Sequence, residues 1–521
     1  MNRVILFACG NRESEWGVNI VSDSLDALKS RLGDVVSLTN IQALVEWDQQ
    51  TQMPPGAAAS KARHVEVLSK LSHEMEVADE TGSLIAAAEK EVASATYDSF
   101  DASLVRVARR GYDRARKLPT DLVAEMSRVT AMAHEDWVKA RQNDDFAAFV
   151  PSLTKILELK QREIACKGYK EHPYDALLDN FEIGLTAADV DSMFSELRVE
   201  LVPLVKAITE RADAVDDSPV HQEFPEDKQR AFAEMVVSKY GFDFSRGRQD
   251  KSVHPFCTSF SRDDVRITTR FDPNWLNPAL FGTFHESGHG MYEQGSDPSL
   301  EGTILCGGAS LGVHESQSRL WENVIGRSYP FWTHFYPKLQ ETFPGQLKDV
   351  SLDAFYRAIN KVEPSFIRVE ADEATYNLHI MIRFEVERDV IGGKIAVKDI
   401  PEAWNAKSKE YLGIVPPTNA LGCLQDIHWS FGGFGYFPTY SIGNLLSVQL
   451  YDTAVKAHPA IPEEIADGEF STLLGWMRSN IHVHGAKYEP KELIMRATGE
   501  PMQSRSYMKY LKTKYSAIYG L

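Results

Sequence analysis

The chemistry of this sequence begins at Phe284-His285-Glu286-Ser287-Gly288-His289-Gly290, which fits the pattern H-E-x-x-H. Histidines four residues apart share one helical face, about 6 Å apart, so both imidazoles reach one zinc ion. Glu286 is rotated about 100° from His285 and therefore flanks a metal-activated water rather than the metal. With 15 His in 521 residues, random sequence yields roughly 0.03 such matches, so the pattern is a signal. A catalytic zinc takes a third protein ligand and keeps one position open. Glu315, in Val313-His314-Glu315-Ser316-Gln317 after a glycine-rich turn (Gly307, Gly308, Gly312), is the candidate on a separate helix, with His314 and Glu322 as rivals. Two histidines from one helix and a glutamate from another form a ligand set that zinc peptidases use.

A developing oxyanion needs donors besides the metal. The segment from His428 to Tyr440 offers His428, Tyr436 and Tyr440, and its glycines 432, 433 and 435 let backbone approach a bound peptide. Of the arginines, Arg266 alternates with Asp264 along a strand-like segment. It is a candidate for binding a carboxylate, or else a partner for Asp264.

These residues need a scaffold, and most of it reads as helix. Leu25, Leu28, Leu32 and Val35 recur at spacings of three and four, and Leu44 and Trp47 resume the apolar face after a short break. Pro54-Pro55 stops that helix. Further amphipathic stretches run 59–76, 104–117, 122–141 and 146–167, Thr186 with Asp189 marks a helix start, and the tail 491–521 is helical. The stretch 264–271 alternates as a half-buried strand, with 254–260 as its hairpin arm. The expected fold is mainly α with one small β-sheet. Length alone suggests three or four domains. Candidate residues far apart in the chain must converge on one site, which instead favours a single large unit over 21–521.

Composition bounds the partners. Hydrophobic residues are 43% and charged residues 25%, an ordinary globular balance. A net charge of −18 argues against nucleic acid and anionic membrane surfaces, and no run approaches the ~18 apolar residues of a membrane span. Five scattered cysteines (Cys9, Cys166, Cys257, Cys306, Cys423) without a C-x-x-C pair suit free thiols in a cytoplasmic protein. Residues 1–20 carry Arg3 and a short apolar stretch, and read as a poorly ordered leader or an organellar targeting segment.

Together these segments resemble the carboxypeptidase Taq family of zinc metallocarboxypeptidases. The likeness runs from about Ser24 to the C-terminus. It rests on His254-Pro255-Phe256, then Asp264, Arg266 and Thr268 as D-x-R-x-T, and the H-E-x-x-H of His285 to His289. His314 to Gln317 follow as H-E-S-Q, then Ile367, Arg368, Ala371 and Asp372 as I-R-x-x-A-D. Last come Gly422, Gln425, Asp426, His428 and Trp429 as G-x-x-Q-D-x-H-W. The early string from Trp47 to Pro55 is also similar to the family's N-terminal region. The resemblance implies a saddle-like helical homodimer with a deep groove in each protomer. It implies zinc held by His285, His289 and Glu315, with Glu286 as general base. It implies peptide substrates with a free C-terminus, gripped by Arg368 at a groove end shaped by His254-Pro255-Phe256. Co2+ or Mn2+ are possible substitutes for zinc. The alternatives are an endo-acting helical zinc oligopeptidase and, more remotely, a non-catalytic zinc-binding protein.

Overall fold

The computed structural model describes residues 24–521, so the leader expected at 1–20 lies outside the described residues. The first helix, Ser24–Thr51, buries Leu25, Leu28, Leu32 and Trp47 along one side. It runs without the break expected before Leu44. Ser37 and Thr39 fold their hydroxyls back onto the carbonyls of Gly33 and Val35, four residues earlier, and leave the helix intact. Helices Ala58–Val77, Phe100–Arg116, Thr120–Gln142 and Phe146–Lys167 fall where the apolar periodicity places them. Thr186 accepts from the Asp189 N–H and Asp189 accepts from the Thr186 N–H, both at 3.1 Å, a reciprocal cap that starts the helix Ala187–Thr209. The tail is two helices, Pro490–Thr498 and Arg505–Tyr519, because Gly499 at φ +75° turns the chain out of the first.

Three strands interrupt the helices. These are β1 (Gly247–Lys251), β2 (Cys257–Ser261) and β3 (Asp264–Thr269), ordered β1-β3-β2, with β1 parallel and β2 antiparallel to the central β3. The β2–β3 hairpin matches the alternation in the sequence. The β1 strand, Gly-Arg-Gln-Asp-Lys, has no apolar alternation to betray it; Gln249 is buried and donates to the Thr283 hydroxyl at 2.8 Å. Val265 and Ile267 of β3 are fully buried. A Cβ at Gly290 would stand 2.6 Å from Phe242 and 3.4 Å from Ile267, so the helix Asn277–Gln294 lies directly on this sheet.

The main apolar core runs from Leu122 to Tyr519 and surrounds that helix. A smaller core joins Leu25, Leu28, Leu32, Ile85, Leu104 and Tyr112 of the N-terminal helices to Leu300 and Leu305.

One buried charge cluster ties a wall helix to the glycine-rich loop after His428. Glu163 pairs with Lys160 at 2.9 Å and Lys167 at 2.5 Å. Gly432, at φ +73°, lies so close over Lys160 that a Cβ there would stand 2.9 Å from its Cε. Burial opposes ionisation of Glu163, but the two lysines outweigh it and hold the carboxyl down to about 2. A carboxylate lowered on folding stabilises the protein above its unfolded value near 4.5, and this contribution disappears as pH falls through about 2. We expect Glu163→Gln to destabilise the fold by about 3 kcal/mol at pH 7. The gap to wild type should shrink between pH 4.5 and 2 in thermal melts; equal melting at pH 7 would refute the role.

Candidate active site

The helix Asn277–Gln294 begins with a proline in its first turn, where no N–H is needed, and carries both histidines of the H-E-x-x-H pattern. Gly288 lets it touch a second helix, Leu311–Arg319. A Cβ there would stand 2.6 Å from both the Gln317 carbonyl oxygen and the Ser318 Cα. The second helix is started by Ser310, which accepts from the Val313 N–H at 3.1 Å, while buried Glu182 accepts from Gly312 N–H and Ser310 Oγ. A third helix, Pro438–Ala457, presses on Glu315 from behind, where a Cβ at Gly443 would collide with the Glu315 side chain.

This crossing brings His285 Nε2 to 3.5 Å and His289 Nε2 to 3.4 Å from Glu315 Oε2. The three ligand atoms lie within 4.8 Å of one another. Donors about 2.1 Å from a tetrahedral ion are spaced about 3.4 Å apart, so the residues present fit a divalent metal.

Each of the three is held from outside. His285 Nδ1 meets Glu322 Oε2 at 2.8 Å. His289 Nδ1 meets His314 Nδ1 at 2.6 Å, His314 Nε2 meets Glu293 Oε1 at 2.6 Å, and Ser259 donates to Glu293 at 3.0 Å. Arg319 Nε donates to Glu315 Oε1 at 2.6 Å. The rivals His314 and Glu322 therefore stand behind the two histidines, outside the ligand group. His314 is turned about 100° from Glu315 on its helix. Glu322 sits on a wide π-helical turn, Leu320–Ile325, that continues the same helix. No sequence motif singles out Glu293, Arg319 or Gly288. The i,i+4 spacing of Arg319 from Glu315 is a usable signal; nothing local marks Gly288.

The remaining predicted residues gather at a second cluster, with one exception. Arg368 lies on a short turn, Arg368–Glu370, and is buried. Its Nε and Nη2 donate to Asp426 Oδ1 at 3.0 and 2.8 Å, and its Nη1 donates to the Tyr376 hydroxyl at 2.8 Å. The guanidinium also faces the Tyr440 ring at 4.8 Å. Tyr440 Oη lies 3.3 Å from His428 Nε2, and the Tyr436 ring is 5.1 Å from that of His428. His254 feels the charges of Arg270 and Arg368; partial burial and then those cations push its imidazole below its ordinary value. Arg266 is the exception. It grips Asp264 through two bonds of 2.9 Å and stacks on Trp47 and Phe260, at 4.4 and 4.9 Å. Of its two expected roles, the structure places it in the ion pair, where it joins the sheet to the first helix.

Known proteins similar to this chain identify its family. The sequence pattern of the Carboxypeptidase Taq (M32) metallopeptidase family matches residues 27–515. This chain belongs to that family. Among its relatives is Carboxypeptidase 1 of Bacillus subtilis, 42% identical over 485 residues, 92% of this chain and 95% of that one. Thermostable carboxypeptidase 1 of Thermus thermophilus is 39% identical over 93% of this chain and 96% of its own. The solved M32 carboxypeptidase from Deinococcus radiodurans superposes with a TM-score of 0.92 at 41% identity, covering 96% of this chain and 100% of that one. The protein is thus a metallocarboxypeptidase by family, and its fold of helices with one small sheet is that of its relatives.

In this metallopeptidase the charges of the ligand group are set by its surroundings. Burial opposes ionisation of Glu315, but Arg319 and then His285 hold its carboxyl well below the usual range. Burial pushes Glu286 up to about 7, with His285 opposing. Outer partners of metal-ligating histidines fix the tautomer and ring orientation. Glu322→Gln should weaken metal binding on the order of 10–100-fold, measured by competition with a chromogenic chelator. Unchanged affinity would show that His285 is oriented without Glu322.

Proposed function

We propose that the protein is a zinc-dependent carboxypeptidase that removes C-terminal residues from peptides, with Glu286 as general base. The observation that carries this reading is the unbroken chain of contacts between the ligand group and a buried arginine. Arg319, bonded to Glu315, lies 4.4 Å from the Tyr376 ring, and the Tyr376 hydroxyl is bonded to Arg368. A guanidinium has five N–H donors. Protein acceptors take three of those of Arg368, leaving two for a peptide carboxylate beside the metal ligands. An endopeptidase would have no use for such an anchor.

His285, His289 and Glu315 would hold the ion, and their two nitrogens and one oxygen favour zinc, with cobalt or manganese as substitutes. When bound, zinc supplies a Lewis acid and lowers the pKa of water towards 7. Glu286 takes the proton of the attacking water on its carboxylate and passes it to the leaving amine nitrogen, help typically worth ~10²–10⁴-fold. His428, with Tyr440 and Tyr436 beside it, places donors for the developing oxyanion. Arg368 fixes the terminal carboxylate, and His254 closes that end of the site. A homodimer in the cytoplasm completes the reading, supported by the family resemblance and by free thiols at Cys166, Cys257, Cys306 and Cys423.

Mass analysis of a short peptide digest is the direct test. Residues should leave singly from the C-terminus, and a chelator should stop the reaction; internal fragments would point to the oligopeptidase alternative. Glu286→Gln should retain the metal and lose at least about 10²-fold in kcat, so near-native turnover would sink the base assignment. Arg368→Ala should raise KM for free-acid peptides without loss of metal. Equal cleavage of free and amidated peptides would contradict the exopeptidase reading.

A further inference from the structure

Arg368 is not alone behind the site. Its acceptor, Asp426, is shared with a second arginine, Arg383, which belongs to none of the motifs that pointed to the family. Arg383 lies on the helix Tyr376–Ile391 and is completely buried. Its Nε donates to Asp426 Oδ2 at 2.6 Å, its Nη2 lies 2.6 Å from the same oxygen, and its Nη1 donates to the His379 carbonyl at 2.8 Å. The Trp404 ring covers it, 4.6 Å from the guanidinium carbon. The two arginines thus take opposite oxygens of one carboxylate, Arg368 on Oδ1 and Arg383 on Oδ2.

Count the charges in this buried group. Asp426 is held far below the usual carboxylate range by both arginines, against its burial. Burial presses Arg383 down to about 10, which leaves it protonated at neutral pH. The surrounding histidines add nothing: burial drives His428 down to about 3 and His379 well below its ordinary value. Among Arg368, Arg383 and Asp426, two guanidinium charges against one carboxylate leave one positive charge; the neighbouring carboxyl of Glu387 is pushed up to about 7 by its burial. Without Arg383, Arg368 and Asp426 would be a neutral pair, and a neutral pair attracts an approaching anion far less than a net charge does in a poorly solvated site.

We propose that Arg383 is a positioning residue for substrate: by neutralising Asp426 from behind, it leaves the Arg368 charge uncompensated for the C-terminal carboxylate of a peptide. The inference rests on Arg368 being the carboxylate anchor. Asp426 aims the Arg368 fork, and Arg383 prevents that aiming bond from cancelling the charge it aims. Arg383 itself touches no substrate.

The test uses the metal-loaded enzyme and benzyloxycarbonyl-Ala-Ala, as the free acid for kcat and KM and as its C-terminal amide for the inhibition constant. Arg383→Gln keeps a donor towards Asp426 but removes the charge. It should raise KM for the acid about tenfold, the effect of one buried unit charge several ångströms away, with kcat, metal content and the inhibition constant of the amide unchanged. Arg383→Lys keeps the charge and should stay within about threefold of wild type in KM. A purely structural role would disturb acid and amide alike, and would leave lysine no better than glutamine. If Arg383→Gln binds the acid as wild type does while Arg368→Gln does not, this inference fails and the anchor stands. If Arg368→Gln also leaves KM unchanged, the anchor itself is wrong. Should the Gln variant not fold, Arg383→Lys decides: a stable lysine variant that has lost its preference for acid over amide overturns the proposal.

Discussion

The contact at Gly288 is the constraint on which the site depends. Two helices whose backbones touch, with the Gln317 carbonyl and the Ser318 Cα at the crossing, bring a glutamate of one onto the histidine face of the other. A side chain at 288 would push the helices apart by more than the tolerance of a metal site, because the donor atoms must stay about 3.4 Å from each other. Interiors are packed too tightly to absorb such a shift locally. Gly443 repeats the device on the far side of Glu315, so that side chain is fixed between two backbones.

Around this crossing the protein gives each of the three candidate metal ligands a partner of its own. Glu315 is answered by Arg319, His285 by Glu322, and His289 by His314 and Glu293. The same logic governs the other cluster, where Arg368 is answered by Asp426 and Asp426 by Arg383. Buried charges are tolerable only when paired and bonded. Chains of such pairs also transmit orientation, since each side chain has few geometries that satisfy all its bonds. The acidic surplus of the whole chain, net −18, sets the background against which an anion must be bound. The arginine pair is a local exception to it, buried away from the screening that weakens exposed charge.

Where sequence and structure part company, the cause is tertiary. The break expected in the first helix does not occur, because serine and threonine hydroxyls can be satisfied within a helix and nothing else forces a stop. The β1 strand is invisible to alternation because its residues are polar: Arg248 and Asp250 bond each other, and the buried Gln249 amide donates to Thr283, remote in sequence. Arg266 looks as available as Arg368 until its partners appear: Asp264 two residues away, and Trp47 more than two hundred residues earlier.

What the sequence determined by itself was the metallocarboxypeptidase reading and the residues that could carry it. The i,i+4 histidines with their glutamate, the third carboxylate on a following helix, the strand alternation and the helical periodicity are all local patterns, and local geometry makes them legible. Only the tertiary structure decided which of His314, Glu315 and Glu322 faces the two histidines, and that Arg368 connects to Glu315 through Tyr376 and Arg319. It alone paired Arg383 with Asp426. Those choices depend on how helices cross and on which charges become buried together. The energy that selects among them comes from contacts between residues far apart in the chain, which no local spacing records.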